Sequence, residues 1–153
     1  MNRASPAGVG IACRGVDACQ VRVVDAGIII AALNERDRDH AMAVELIRGY
    51  KGTLLTTWPA VAEACAMMPV RRQARVIEWL RVTATDLAPL DDGIEFMESY
   101  VDEYASLPCD FADASLVYAA VVSGVRDIRT IDRDFLVYRL PDRSRFKVIP
   151  GRA

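Results

Sequence analysis

Short β-branched runs alternate along this chain with longer stretches of helical period. Val21-Arg22-Val23-Val24-Asp25 predicts a buried strand. Helix-forming residues continue through Ala31-Ala32-Leu33 to the charged loop Asn34–Asp39. From Ala41 to Tyr50, the residues Ala43, Ile47 and Tyr50 recur at helical spacing, and Gly52 closes that segment. Thr53-Leu54-Leu55-Thr56-Thr57 reads as a second strand. Pro59 stands where a first-turn proline is tolerated, opening a helix to about Met68. Beyond Pro69 a helix is expected over Val70–Val82, with Val70, Ala74, Ile77 and Trp79–Leu80 facing inward. Leu87-Ala88-Pro89-Leu90 suggests a short strand, and Asp91–Asp92 a cap for a helix through Ala105. Phe111–Val122 is a strongly apolar helix, Asp127–Ile131 a strand and Phe146–Ile149 a last strand. Strands alternating with helices of this length predict an α/β sandwich with a mainly parallel sheet.

Residues 1–20 break the pattern, mixing Gly, Ala, Ser and Pro without period, and read as a flexible N-terminal leader to a single domain over residues 21–150. No apolar h-region of a signal peptide stands out. The apolar run Val23–Leu33 contains Asp25 and is too short to span a bilayer. The four cysteines, Cys13, Cys19, Cys65 and Cys109, include no C-x-x-C pair, and His40 is the single histidine. Zinc ligation and histidine-based nucleophilic catalysis are therefore disfavoured, and free thiols in a reducing cytoplasm are expected. Net charge is −2, which excludes a uniformly basic nucleic-acid binder but not a local basic patch.

The chemistry lies in the acids. Three apolar stretches run into aspartate: Val21–Asp25, Cys109-Asp110-Phe111-Ala112-Asp113, and Ile128-Arg129-Thr130-Ile131-Asp132-Arg133-Asp134. A fourth acid, Glu63, sits among the small apolar residues Ala60–Ala66, which suggests a buried carboxylate in need of a partner, a proton or a metal. Helix capping offers a plainer explanation for Asp25 and for one of the pair Asp110 and Asp113, though hardly for both, and loop placement does so for Asp132 and, more strongly, for Asp134. Asp25 and Asp132, however, both fall at carboxyl ends of expected strands, where α/β sheets bind ligands. Two carboxylates ~4 Å apart repel by ~4 kcal/mol at an effective dielectric of ~20, and a divalent cation cancels that repulsion. Mg²⁺ or Mn²⁺ suits such ligands and supports phosphodiester hydrolysis.

In order, the same residues resemble the motifs of the VapC-like PIN-domain family. Val24-Asp25-Ala26-Gly27, followed by Ala31-Ala32-Leu33-Asn34 and Asp37…His40, is similar to the family's opening. Thr56-Thr57-Trp58-Pro59-Ala60-Val61-Ala62-Glu63 resembles its second motif, Asp110-Phe111-Ala112-Asp113-Ala114-Ser115-Leu116-Val117 its third, and Thr130-Ile131-Asp132-Arg133-Asp134-Phe135 its fourth. The resemblance spans about Val21 to Pro150. It implies a three-layer α/β/α sandwich with a mainly parallel central sheet. It also implies an Mg²⁺-dependent endoribonuclease, with Mn²⁺ as a substitute, acting as the toxin of a type II toxin–antitoxin pair. On that resemblance Asp25 and Asp113 are the metal ligands, Glu63 and Asp132 complete the catalytic set, and Asp110, Thr130 and Asp134 support it. Gly27 stands where many relatives carry serine or threonine.

Arg133, beside the expected pocket, is the candidate phosphate contact. Arg71, Arg72 and Arg75 with Trp79 fall near one helical face, a second candidate surface for RNA or partner. Met67–Met68 and Trp79 are candidates for covering a homodimer or antitoxin groove. The expected partners are an RNA substrate, a small cognate antitoxin and a second copy of the chain, with no membrane. A non-catalytic PIN module binding RNA or protein is the alternative, against which the intact acids at every motif argue. A receiver-like phosphatase lacks support, because Asp25 has no acid at i+2 and no lysine lies between Lys51 and Lys147.

Overall fold

The computed structural model describes residues 20–150, so the leader expected over residues 1–20 lies outside the described residues except for Gln20. Strands β1 (Val21–Val24), β2 (Thr53–Thr56), β3 (Asp86–Leu87), β4 (Asp127–Arg129) and β5 (Lys147–Ile149) form one sheet in the order β3-β2-β1-β4-β5. Every pairing is parallel. The connections carry helices α1 (Ala26–Leu33), α2 (His40–Arg48), α3 (Trp58–Ala66), α4 (Val70–Val82), α5 (Ile94–Glu103) and α6 (Phe111–Ser123).

Strand side chains alternate between two cores, as the two-residue period of a strand requires. Val21, Val23 and Ile128 join one core with Met97 and Tyr100 of α5 and Leu116 and Val117 of α6. Val24 and Leu54 join the other with Ile28 and Ile29 of α1, Ala43 of α2 and Val76, Trp79 and Leu80 of α4. This is the three-layer α/β/α sandwich. Because β1 is flanked by β2 on one side and β4 on the other, the chain order reverses at the centre of the sheet. Open parallel sheets bind ligands at such a reversal, beyond the carboxyl ends of the strands, here β1 and β4.

Three expectations change. On α4 the inward residues are Val76, Trp79 and Leu80, whereas Val70 is 82% exposed and Ile77 50% exposed. Apolar residues occupy both sides of this helix, and the side carrying Val76, Trp79 and Leu80 packs into the core beside α1 and α3. Arg71, Arg72 and Arg75 are exposed while Trp79 is buried, so the indole does not contribute to the exposed arginine surface. The third change lies between β3 and α5: the strand occupies Asp86–Leu87 and Asp91–Gly93 form a 3-10 turn, without side-chain capping by either aspartate. Pro89 has no N–H with which to extend the ladder. Gly93 lies close enough to α6 that a Cβ would meet the Tyr118 ring at 2.5 Å.

Helix α6 ends at Gly124, whose φ of +66° is left-handed and whose surroundings leave a Cβ free of contacts. Replacing it therefore isolates backbone strain. Gly124→Ala is expected to lower unfolding free energy by ~1 kcal/mol and Gly124→Asn by less, read from urea denaturation.

Candidate active site

Asp25 follows β1 directly and is only 6% exposed. It has the backbone conformation of an N-cap, φ −85° and ψ 157°, yet its side chain makes no cap hydrogen bond. The capping explanation therefore fails for this residue. Its Oδ2 instead accepts a hydrogen bond from the Thr130 hydroxyl at 2.6 Å, across the ends of β1 and β4. The backbone agrees, since Asp25 N–H donates to the Arg129 carbonyl at 3.0 Å. Thr130 Oγ1 in turn accepts from Asp132 N–H at 2.9 Å, and Asp132 Oδ1 accepts from Asp134 N–H at 2.9 Å. One hydrogen-bonded chain thus runs from the buried acid through the loop after β4.

Asp110 and Asp113 begin α6, and here the capping reading holds. Asp110 Oδ1 accepts from Asp113 N–H at 2.9 Å, and Asp113 Oδ2 accepts from Asp110 N–H at 3.4 Å. Asp110 is thereby engaged in the cap. Asp113 Oδ2 also accepts from the Tyr138 hydroxyl at 3.0 Å, a contact that the sequence motifs gave no reason to expect.

Glu63 corrects the sequence reading. It is exposed, not packed on several sides, because α3 buries only Ala60, Val61 and Ala64 and leaves Ala62 and Ala66 in solvent. Alanine is small enough for either environment, so an alanine-rich helix does not imply burial all round. Glu63 still belongs to the acidic group through the placement of α3. Thr57 caps that helix by accepting from Ala60 N–H at 3.3 Å, and its hydroxyl lies 2.6 Å from Ser115 Oγ on α6. Ser115 donates to the Ala112 carbonyl at 2.7 Å, leaving Thr57 to donate to Ser115. This buried pair joins the helix of Glu63 to the helix of Asp113. Both hydroxyls stand in the motifs, and only their burial marks them out.

Electrostatics show which acids share a field. Burial pushes the Asp25 carboxyl up to about 6; the Thr130 hydrogen bond opposes this, and the charges of Glu63 and Asp132 add to it. Asp113 is pushed up to about 7 by burial and then by Asp110, opposed by Tyr138 and raised again by Asp25. Partial desolvation raises Glu63, followed by the charges of Asp110, Asp113 and Asp132. Desolvation and Asp132 raise Asp134. No lysine or arginine forms an ion pair with any of these acids among the described residues. Arg133 is exposed beside Asp132 and makes no ion pair among them either.

The donors fit a hard cation of modest demands. Among the described residues, no group of three or more His, Cys, Asp or Glu is placed to hold an ion directly. Mg²⁺ uses one or two carboxylates and keeps several waters, a demand that a pair of these carboxylates, such as Asp25 and Asp113, would satisfy. An open groove of about 490 Å³ lies outside the acids, lined by Leu90, Ile94, Met97, Val101 and Phe111 with Asp91 and Glu98.

Gly27 has a local reason. A Cβ there would stand 3.0 Å from Ile131 Cγ1 and 3.7 Å from Asp25 Oδ2, so Ile131 takes the space of a side chain beside the acid.

No protein-family model matches the chain. No curated protein matches it either. Among solved structures it is similar to VapC20 of Mycobacterium tuberculosis, described as a sarcin-ricin loop cleaving toxin. The TM-score is 0.66 at 19% identity, covering 74% of this chain and 91% of that one. The fold is that of the VapC-like PIN domains. In this PIN-like fold Asp25, Glu63, Asp113 and Asp132 lie close enough for their charges to act on one another, with Asp25 directly after β1 and Asp132 in the loop after β4.

Asp25 and Asp113 bind protons more tightly when folded than their ordinary value of 3.8. The metal-free protein therefore loses stability as pH rises from that value towards about 7. Asp25→Asn removes the Asp25 share. Its stability relative to wild type is expected to grow by roughly 3 kcal/mol across that window, at about 1.4 kcal/mol per pH unit. Urea melts in EDTA measure this, and a pH-independent difference would contradict a carboxyl raised by burial at Asp25.

Proposed function

We propose that this protein is a divalent-metal-dependent endoribonuclease, the toxin component of a type II toxin–antitoxin pair acting in the cytoplasm. The observation that carries this reading is the group of carboxylates around Asp25, held together without an ion-paired lysine or arginine among the described residues. A fold shared with a toxin that cleaves the sarcin-ricin loop supports RNA as the substrate class. Among the described residues, no helix is long and apolar enough to cross a membrane.

In this reading Asp25 and Asp113 hold the cation, Mg²⁺ or Mn²⁺. Bound there, the cation supplies Lewis acidity to the phosphoryl oxygen and acidifies the attacking water. Thr130 keeps the Asp25 carboxylate in one orientation through its 2.6 Å hydrogen bond. In the same reading Glu63, exposed on α3, accepts the proton of the attacking water, and Asp132 orients that water. Asp110 stiffens the start of α6, and Asp134 N–H holds Asp132. Arg133, exposed and unpaired among the described residues, contacts a phosphate of the RNA backbone.

A small antitoxin and a second copy of the chain are the proposed protein partners. The exposed apolar residues support both: Trp58 is 57% exposed, Met67 70% and Val70 82%. Size-exclusion chromatography with light scattering is expected to give a dimer.

Purified protein incubated with RNA tests the reading. Cleavage is expected in Mg²⁺ or Mn²⁺ and not in EDTA. Asp25→Asn or Asp113→Asn is expected to reduce the rate by roughly a hundredfold or more, and Glu63→Gln by roughly a hundredfold. Cleavage that persists in EDTA would contradict the mechanism, and tight RNA binding without cleavage under any metal would favour a binding module.

A further inference from the structure

We infer that Tyr138 is a positioning residue for the metal ligand Asp113, an inference that rests on the metal-dependent reading above. Tyr138 is fully buried and lies outside the four acid motifs. Its hydroxyl donates to Asp113 Oδ2 at 3.0 Å. The only other donor to this carboxylate among the described residues is Asp110 N–H, on the same oxygen. Oδ1 is thus the oxygen left for a cation. A carboxylate on a helix N-terminus would otherwise rotate between its two oxygens, and a fixed donor removes that freedom.

The rest of Tyr138 is anchored as this role requires. Its ring meets Phe135, Tyr104 and Tyr100 edge-on, with centroids 5.1, 5.3 and 6.0 Å away. Its N–H donates to the Asp134 carbonyl at 3.0 Å, tying it to the loop that carries Asp132 and Asp134. The next residue is clamped as well: Arg139 N–H donates to Tyr100 Oη at 3.1 Å, and that hydroxyl donates to the Arg139 carbonyl at 3.0 Å. Tyr138 therefore ties the loop after β4 to the start of α6. It sets Asp113 in register with the acids carried by that loop.

The test is Mn²⁺ titration by calorimetry at neutral pH on wild type, Tyr138→Phe and Tyr118→Phe, with melting temperatures measured in EDTA. Phenylalanine keeps the ring and removes the hydrogen bond. Tyr138→Phe is expected to bind Mn²⁺ roughly tenfold more weakly. Tyr118→Phe, which also loses a tyrosine hydroxyl but whose hydroxyl neighbours Asp92 rather than Asp113, is expected to bind like wild type. A packing role alone would lower the melting temperature of Tyr138→Phe and leave its Mn²⁺ affinity unchanged, which would overturn the inference. Should Tyr138→Phe not fold, Tyr100→Phe carries the test by loosening the clamp on Arg139. Weaker Mn²⁺ binding then supports the role and unchanged binding overturns it. Wild type that takes up no Mn²⁺ would instead contradict the metal reading itself, and this role with it.

Discussion

The 2.6 Å hydrogen bond from Thr130 to Asp25 closes the ends of two neighbouring parallel strands over a buried carboxylate. A carboxylate only 6% exposed, with no cationic side chain paired to it among the described residues, is a costly feature in a folded protein. Parallel topology makes it possible: β1 and β4 end side by side at the centre of the sheet, and each continues straight into a residue of the site. Thr130 then serves two neighbours, donating to Asp25 and accepting from Asp132 N–H. The opposing wall comes from α3 and α6, which the buried Thr57–Ser115 pair holds together.

This division of labour separates stability from chemistry. The two apolar cores and the left-handed cap at Gly124 favour folding whatever the acids do. The acids oppose it, because each raised carboxyl group is a charge that the folded state accommodates poorly at neutral pH. A cation at that end of the sheet reverses the sign of the interaction. If the proposed cation binds there, binding and folding are linked, and the metal-loaded protein would be more stable than the metal-free one by an amount set by metal concentration.

Much of this was legible in the sequence, for physical reasons. β-branched runs such as Val21–Val24 and the uniformly apolar α6 leave little choice of structure, and both appear where the pattern puts them. Aspartates at strand ends follow from the same alternation. The pattern fails where residue type does not decide burial. On α3 alanine left the environment of Glu63 open, and on α4 the stripe containing Val76, Trp79 and Leu80 prevailed over Val70 and Ile77. Tyr138 was invisible for a different reason. It reaches Asp113 across 25 positions of sequence, and only the folded chain brings that hydroxyl to the carboxylate.

The central claim is that Asp25 and Asp113 are two sides of one cation site. Anomalous diffraction from a crystal of the protein soaked in Mn²⁺ tests it most directly. A single strong peak is expected between the carboxylates of Asp25 and Asp113, with Glu63 and Asp132 around it and no peak in Asp25→Asn crystals. A wild-type crystal with no manganese at these residues, or with manganese only at acids elsewhere on the surface, would contradict the account.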